Sequence, residues 1–105
     1  MASVRSLSEL EAIPHADVFP EREPKTVRLE LEAGEEIPGH THPGREIVLY
    51  LVDGHLELRL GDDSHVLNTG DIARFDGEQE ISPRAIEDST VLIVLAKRAE
   101  SDGRT

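Results

Sequence analysis

His40 and His42 stand two residues apart, and Glu46 follows them after the reversal signal Pro43-Gly44. On an extended strand, residues i and i+2 point to the same side, so the two imidazoles project together. Pro43-Gly44 then turns the chain, and a carboxylate at Glu46 can face the same spot from the neighbouring strand. Two imidazoles and one carboxylate, with positions left open for water or substrate, suit a divalent metal used in catalysis. His40, His42 and Glu46 are therefore candidate metal ligands, exposed histidines at a strand end being the competing reading. Tyr50 lies four residues beyond Glu46 on the same side and is a pocket candidate, a core tyrosine with a satisfied hydroxyl being the competing reading.

The other histidines fit surface roles. His15 sits between Pro14 and Ala16 and reads as solvated. His55 shares a face with Glu57 and Arg59 and is the reserve for a further ligand. His65, near Asp62 and Asp63, suits a surface ion pair. Arg28, Arg74 and Arg84 read as charge balancing on strands, or alternatively as the lining of a pocket for an anion. The chain has no cysteine, which excludes thiolate catalysis, disulfides and cysteine zinc sites. It also has no Gly-x-Ser-x-Gly elbow and no phosphate-cradling glycine loop.

These residues need strands to hold them, and the pattern supplies strands almost everywhere. Residues 26–32 alternate, with Val27, Leu29 and Leu31 on one face and charged residues on the other. A short stretch over 37–42 carries the histidines. Residues 46–52 are nearly continuously apolar and read as a buried strand. Asp53-Gly54 is a hairpin signal, followed by alternation at Leu56, Leu58 and Leu60. Further strands are expected at 65–67, 72–75, 81–86 and 90–96. Many short strands with closely spaced turns indicate an all-β sandwich or barrel. Pro14, Pro20 and Pro24 limit the first two dozen residues to an arm with at most a helical turn at 8–12, capped by Ser8. The expected organisation is an arm at 1–24, a barrel at 25–98 and a polar tail at 99–105.

At 105 residues the chain suits one domain. Aromatic residues make up only 3%, so Val, Leu and Ile must build the core. The formal charge of −11, from 22 acidic and 11 basic residues, repels phosphate backbones and anionic lipid and argues against nucleic-acid or membrane partners. Such an excess of carboxylate suits either an ordinary acidic cytosolic protein or one kept soluble at high salt. The first ten residues have no apolar stretch typical of a signal peptide, so a cytoplasmic location is expected.

The run Gly34-x5-His40-x-His42-x3-Glu46-x7-Gly54 resembles the first signature motif of the cupin family, departing by one extra residue before its last glycine. Gly70-Asp71 resembles the turn that opens the second cupin motif. The resemblance implies a jelly-roll barrel (double-stranded β-helix), a divalent metal such as iron, manganese, nickel or zinc, a small-molecule substrate and a homodimer. Counting along the second motif, the position of the family's fourth ligand, a histidine, falls on Ile81. Three readings remain: water completes the metal shell, Glu78 or Glu80 supplies an oxygen, or the site is degenerate. Under the first two the resemblance implies a divalent metal acting on a small molecule, for which an oxygenase or isomerase would fit, as would several other chemistries. Under the third it binds or senses a small molecule, with Val48 and Ile81 lining an apolar pocket.

Overall fold

The alternating aliphatic pattern is realised as six antiparallel strands in a computed structural model that describes residues 2–98; the expected tail lies outside the described residues. The strands are β1 (His15–Asp17), β2 (Lys25–Leu31), β3 (Arg45–Leu60), β4 (Asp63–Asn68), β5 (Ile72–Asp76) and β6 (Ile81–Lys97). They run β1-β2-β6-β3-β4 in hydrogen-bonding order, and β5 pairs with β3. A 3₁₀ turn at Leu7–Glu9 precedes them, and no α-helix occurs among the described residues. Nor is any helix there long and apolar enough to cross a bilayer.

Two strands dominate. β3 pairs with β6 over both halves of its length, from Arg45↔Lys97 to Leu51↔Val91 and again from His55↔Glu87 to Leu60↔Ile81. The register slips between these halves, so both strands bend and the sheet folds over itself into a jelly roll. The hairpin expected at Asp53-Gly54 is thus a bulge. Both flanking segments find the same partner, β6, and the backbone kinks instead of reversing. Gly54 sits at the kink with φ +124°, and a Cβ there would lie 2.3 Å from the Ser89 hydroxyl oxygen. The same pairing joins the two strands expected at 81–86 and 90–96 into one.

Leu29, Ile47, Leu49, Leu51, Leu56, Leu58 and Val91 are fully buried, so an aliphatic interior forms with Phe75 as its aromatic member. Each such side chain removed from water contributes roughly 1.5–3 kcal/mol.

The arm is held by an arginine. Arg28 alternates away from Val27 and Leu29 yet is only 2% exposed. Its guanidinium donates to the carbonyls of Leu7 at 3.1 Å, Leu10 at 3.5 Å and Ala12 at 2.8 Å. Arg28 is therefore a clamp, where charge balancing on the surface was expected. The helical turn expected at 8–12 forms one residue earlier, at Leu7–Glu9, with Ser6 at its N-cap position. The Arg28 contacts and the approach of Pro14 draw residues 10–12 out straight. β1 then pairs with β2.

The histidine segment is not a full strand. It touches β6 through two isolated bridges, Glu36↔Arg84 and His40↔Ile81.

Candidate functional site

Inside the barrel lies a cavity of about 500 Å³. Its walls are the inward faces of three strands: Val27 and Leu29 of β2, Ile47 and Leu49 of β3, Ile93 and Leu95 of β6. Farther along, the paired Leu51 and Val91 are completely buried and close the interior. The polar side chains of the lining are His15, Asp17, Lys25, His40 and His42, with Asp17 and His15 of β1 opposite Val27 and Leu29.

Of the expected ligands, His40 and His42 come together. Their ring centroids lie 4.8 Å apart at an interplanar angle of 89°. His40 Nδ1 is 2.8 Å from the Pro38 carbonyl. A carbonyl only accepts, so His40 Nδ1 is the donor in that bond. Burial pushes the His42 pKa below its ordinary value, and the positive charges of His40, Arg45, Lys25 and His15 push it the same way.

Glu46 is elsewhere. On β3, Ile47, Leu49 and Leu51 point inward, so period-2 alternation turns Glu46, Val48 and Tyr50 outward. The Glu46 carboxylate pairs with Arg74 of β5. Tyr50 is 38% exposed on that outer face, and Val48 lies between Arg74 and Val94 in register. None of the three lines the cavity, so the pocket roles expected of Val48 and Tyr50 are not realised there. Glu78 accepts a hydrogen bond from the Gly44 amide at 2.9 Å, and Glu80 lies against Gly39. Neither reaches the cavity. Ile81 does, only 5% exposed and directly opposite His40.

The donor set does not fit the implied metal. The carboxylate is on the wrong side of its strand, and the inward position beside it is an isoleucine. The fourth position is another isoleucine. Among the described residues, no group of three or more His, Asp or Glu converges as a metal cage. The extra residue before Gly54 was the available signal: a spacing of six intervening residues before that glycine puts Ile47, not Glu46, at the inward position.

His15 was missed. It pairs with Leu29 across β1 and β2, which turns it toward the cavity. Burial lowers its pKa and His40 lowers it further, while Asp17 opposes them. The alternation of buried Ala16 and Val18 with polar His15 and Asp17 could have marked an edge strand. His55 lies at the β3 bulge, its amide donating to the Ser89 hydroxyl at 3.1 Å, and His65 is exposed on β4.

A family model described as Cupin domain matches residues 27–96. Among solved structures, an RmlC-like cupin protein from Desulfovibrio desulfuricans is 24% identical with a TM-score of 0.74, covering 94% of this chain and 99% of that one. A predicted oxalate decarboxylase from Thermotoga maritima is 19% identical with a TM-score of 0.78, covering 90% and 99%. KdgF from a Halomonas species is 19% identical with a TM-score of 0.70, covering 90% and 91%. At these identities the likeness is one of fold. No curated protein matches the sequence.

Proposed function

The chain belongs to the cupin family, and from that premise we propose that it binds a small organic molecule in its barrel cavity, with His40 and His42 hydrogen-bonding the ligand rather than holding a metal. The observation that carries this reading is the pair Ile47 and Ile81. Both side chains face the cavity at the places where a third and a fourth metal ligand would have to stand. Aliphatic groups there offer a metal nothing and an apolar ligand a wall. The volume and the few polar groups in an otherwise apolar lining match what small-molecule pockets present. The reading assigns binding or sensing to this protein, and no catalytic step is derived.

Two measurements test it. Elemental mass spectrometry on protein purified without nickel affinity should find far less than one metal ion per chain, before and after reloading. Near-stoichiometric metal that disappears in His42→Ala would overturn the reading. The neutral dye N-phenyl-1-naphthylamine should brighten on entering the cavity, and Ile93→Trp, which fills part of it, should abolish the effect. Equal brightening in that variant would place the dye elsewhere and count against the proposal.

A further inference from the structure

The walls and the mouth of the cavity differ in a way that restricts what can occupy it. Apart from His15, Asp17, Lys25, His40 and His42, the lining is aliphatic except for Phe75, and among the described residues no hydroxyl-bearing side chain joins it. A ligand with a polar group against the aliphatic walls would lose water there and gain no partner. The side-chain hydrogen-bonding groups of the lining are those five alone among the described residues.

Two of those five side chains are charged, one of each sign. Lys25 pairs with Leu95 across β2 and β6, and like Leu95 it lines the cavity. Its ammonium is 3.5 Å from the Asp17 carboxylate, with both side chains about half exposed. An exposed pair of that kind is weakly held, so the ammonium is free to turn to a better-placed anion. Arg45 stands behind His42, fixed by Glu23 at 2.8 Å and by the Leu95 carbonyl. Asp17 is the one carboxylate and Lys25 the one cation among the described residues that line the cavity. A carboxylate head can take the place of Asp17 on Lys25 and keep the charge-assisted bond, which a neutral head would forgo.

We infer that the cavity takes a monocarboxylic acid with an aliphatic body, its carboxylate held by Lys25 and His42 at the mouth and its tail lying against Ile47, Ile81 and Ile93. This rests on the ligand-binding reading above and adds the class of ligand. A small dicarboxylate is excluded by the same argument, because its second charge would be buried among aliphatic side chains.

The test is calorimetric titration of the full chain with hexanoate, octanoate and decanoate, their methyl esters, and oxalate, alongside the neutral dye. Affinity for the acids should rise about fourfold for each added methylene, the factor that corresponds to burying one such group. Each acid should bind at least tenfold tighter than its ester, and oxalate should not bind. Lys25→Met combined with His42→Gln should erase the difference between acid and ester yet preserve the dependence on tail length. Esters binding as well as acids, or a dye that enters and is not displaced by any carboxylate, would overturn the inference while the cavity reading stands. If neither dye nor carboxylate binds, the cavity reading falls and this inference falls with it.

Discussion

His40 and Ile81 face one another across an antiparallel bridge, each amide donating to the other's carbonyl, at 3.1 Å from His40 to Ile81 and 2.8 Å in return. Such a directly opposed pair places its two side chains on the same side of the backbone, with Cβ atoms about 5 Å apart. The imidazole therefore looks across the cavity mouth at an aliphatic group, in a position from which a second imidazole could share a metal.

That geometry makes the site repairable. Ile81→His with Ile47→Glu should supply two inward donors beside His40 and His42 and yield near-stoichiometric iron or manganese, read by elemental mass spectrometry after reloading. The single change Glu46→Gln in the parent chain should leave metal content unmoved, since that carboxylate serves Arg74 on the outer face. A metal content in the double variant no higher than in the parent would show that the cavity is not a latent cupin centre.

Arg28 sustains a second prediction. Among the described residues its buried guanidinium has no carboxylate partner, and it donates only to arm carbonyls, with Nε left unbonded. Arg28→Met keeps much of the apolar stem but loses every one of those bonds. It should cost about 3 kcal/mol and free the arm, so that limited proteolysis cuts before β2 while the barrel stays folded. Arg28→Lys should also release the arm, because one ammonium cannot replace a planar fork that reaches three carbonyls. A protease-resistant arm in both variants would assign its attachment to β1 alone.

The division between what the sequence disclosed and what it hid has a physical basis. Alternation in 26–32 and the apolar run after Glu46 gave the strands, because a buried face leaves a period-2 mark. Which face Glu46 occupies depends on a one-residue register across the Pro43-Gly44 turn, and such a shift inverts every side chain that follows. His15 and Arg28 were misread because their neighbours come from distant segments, which local pattern does not encode. Asp53-Gly54 was misread because a positive φ serves a bulge as readily as a hairpin.

Gly54 separates those last two cases. At φ +124° a Cβ would lie 2.3 Å from the Ser89 hydroxyl oxygen and 2.6 Å from the Asp88 carbonyl oxygen. Gly54→Ala should therefore cost about 3 kcal/mol, combining backbone strain with displacement of β6. Gly34 also has a positive φ, +89°, but nothing lies within 4 Å of its missing Cβ. Gly34→Ala should cost only about 1 kcal/mol. Denaturant midpoints of the two variants give the comparison, and equal losses would show that crowding at the bulge is not what sets the cost at Gly54.

The histidines at the mouth predict how stability follows pH. Burial and positive neighbours depress the folded-state pKa of His42 and of His15, so the unfolded chain, titrating near 6.5, takes up protons first. Where the unfolded state binds more protons, stability rises with pH. The contribution is thus fully present above pH 6.5 and is lost as pH falls from there through the depressed folded-state values. A separate loss should begin at lower pH. There, Glu57 is stabilised by Ser64 and then Arg84, Asp76 by Arg98 and Glu23 by Arg45, all holding their pKa values down. These three carboxylates are surface groups, so added salt should shrink the lower step more than the upper one. Thermal midpoints measured from pH 7.5 to 3.5 should show both steps, and His15→Gln with His42→Gln should remove the upper one alone. An upper step that survives in that variant would move its origin away from the cavity mouth.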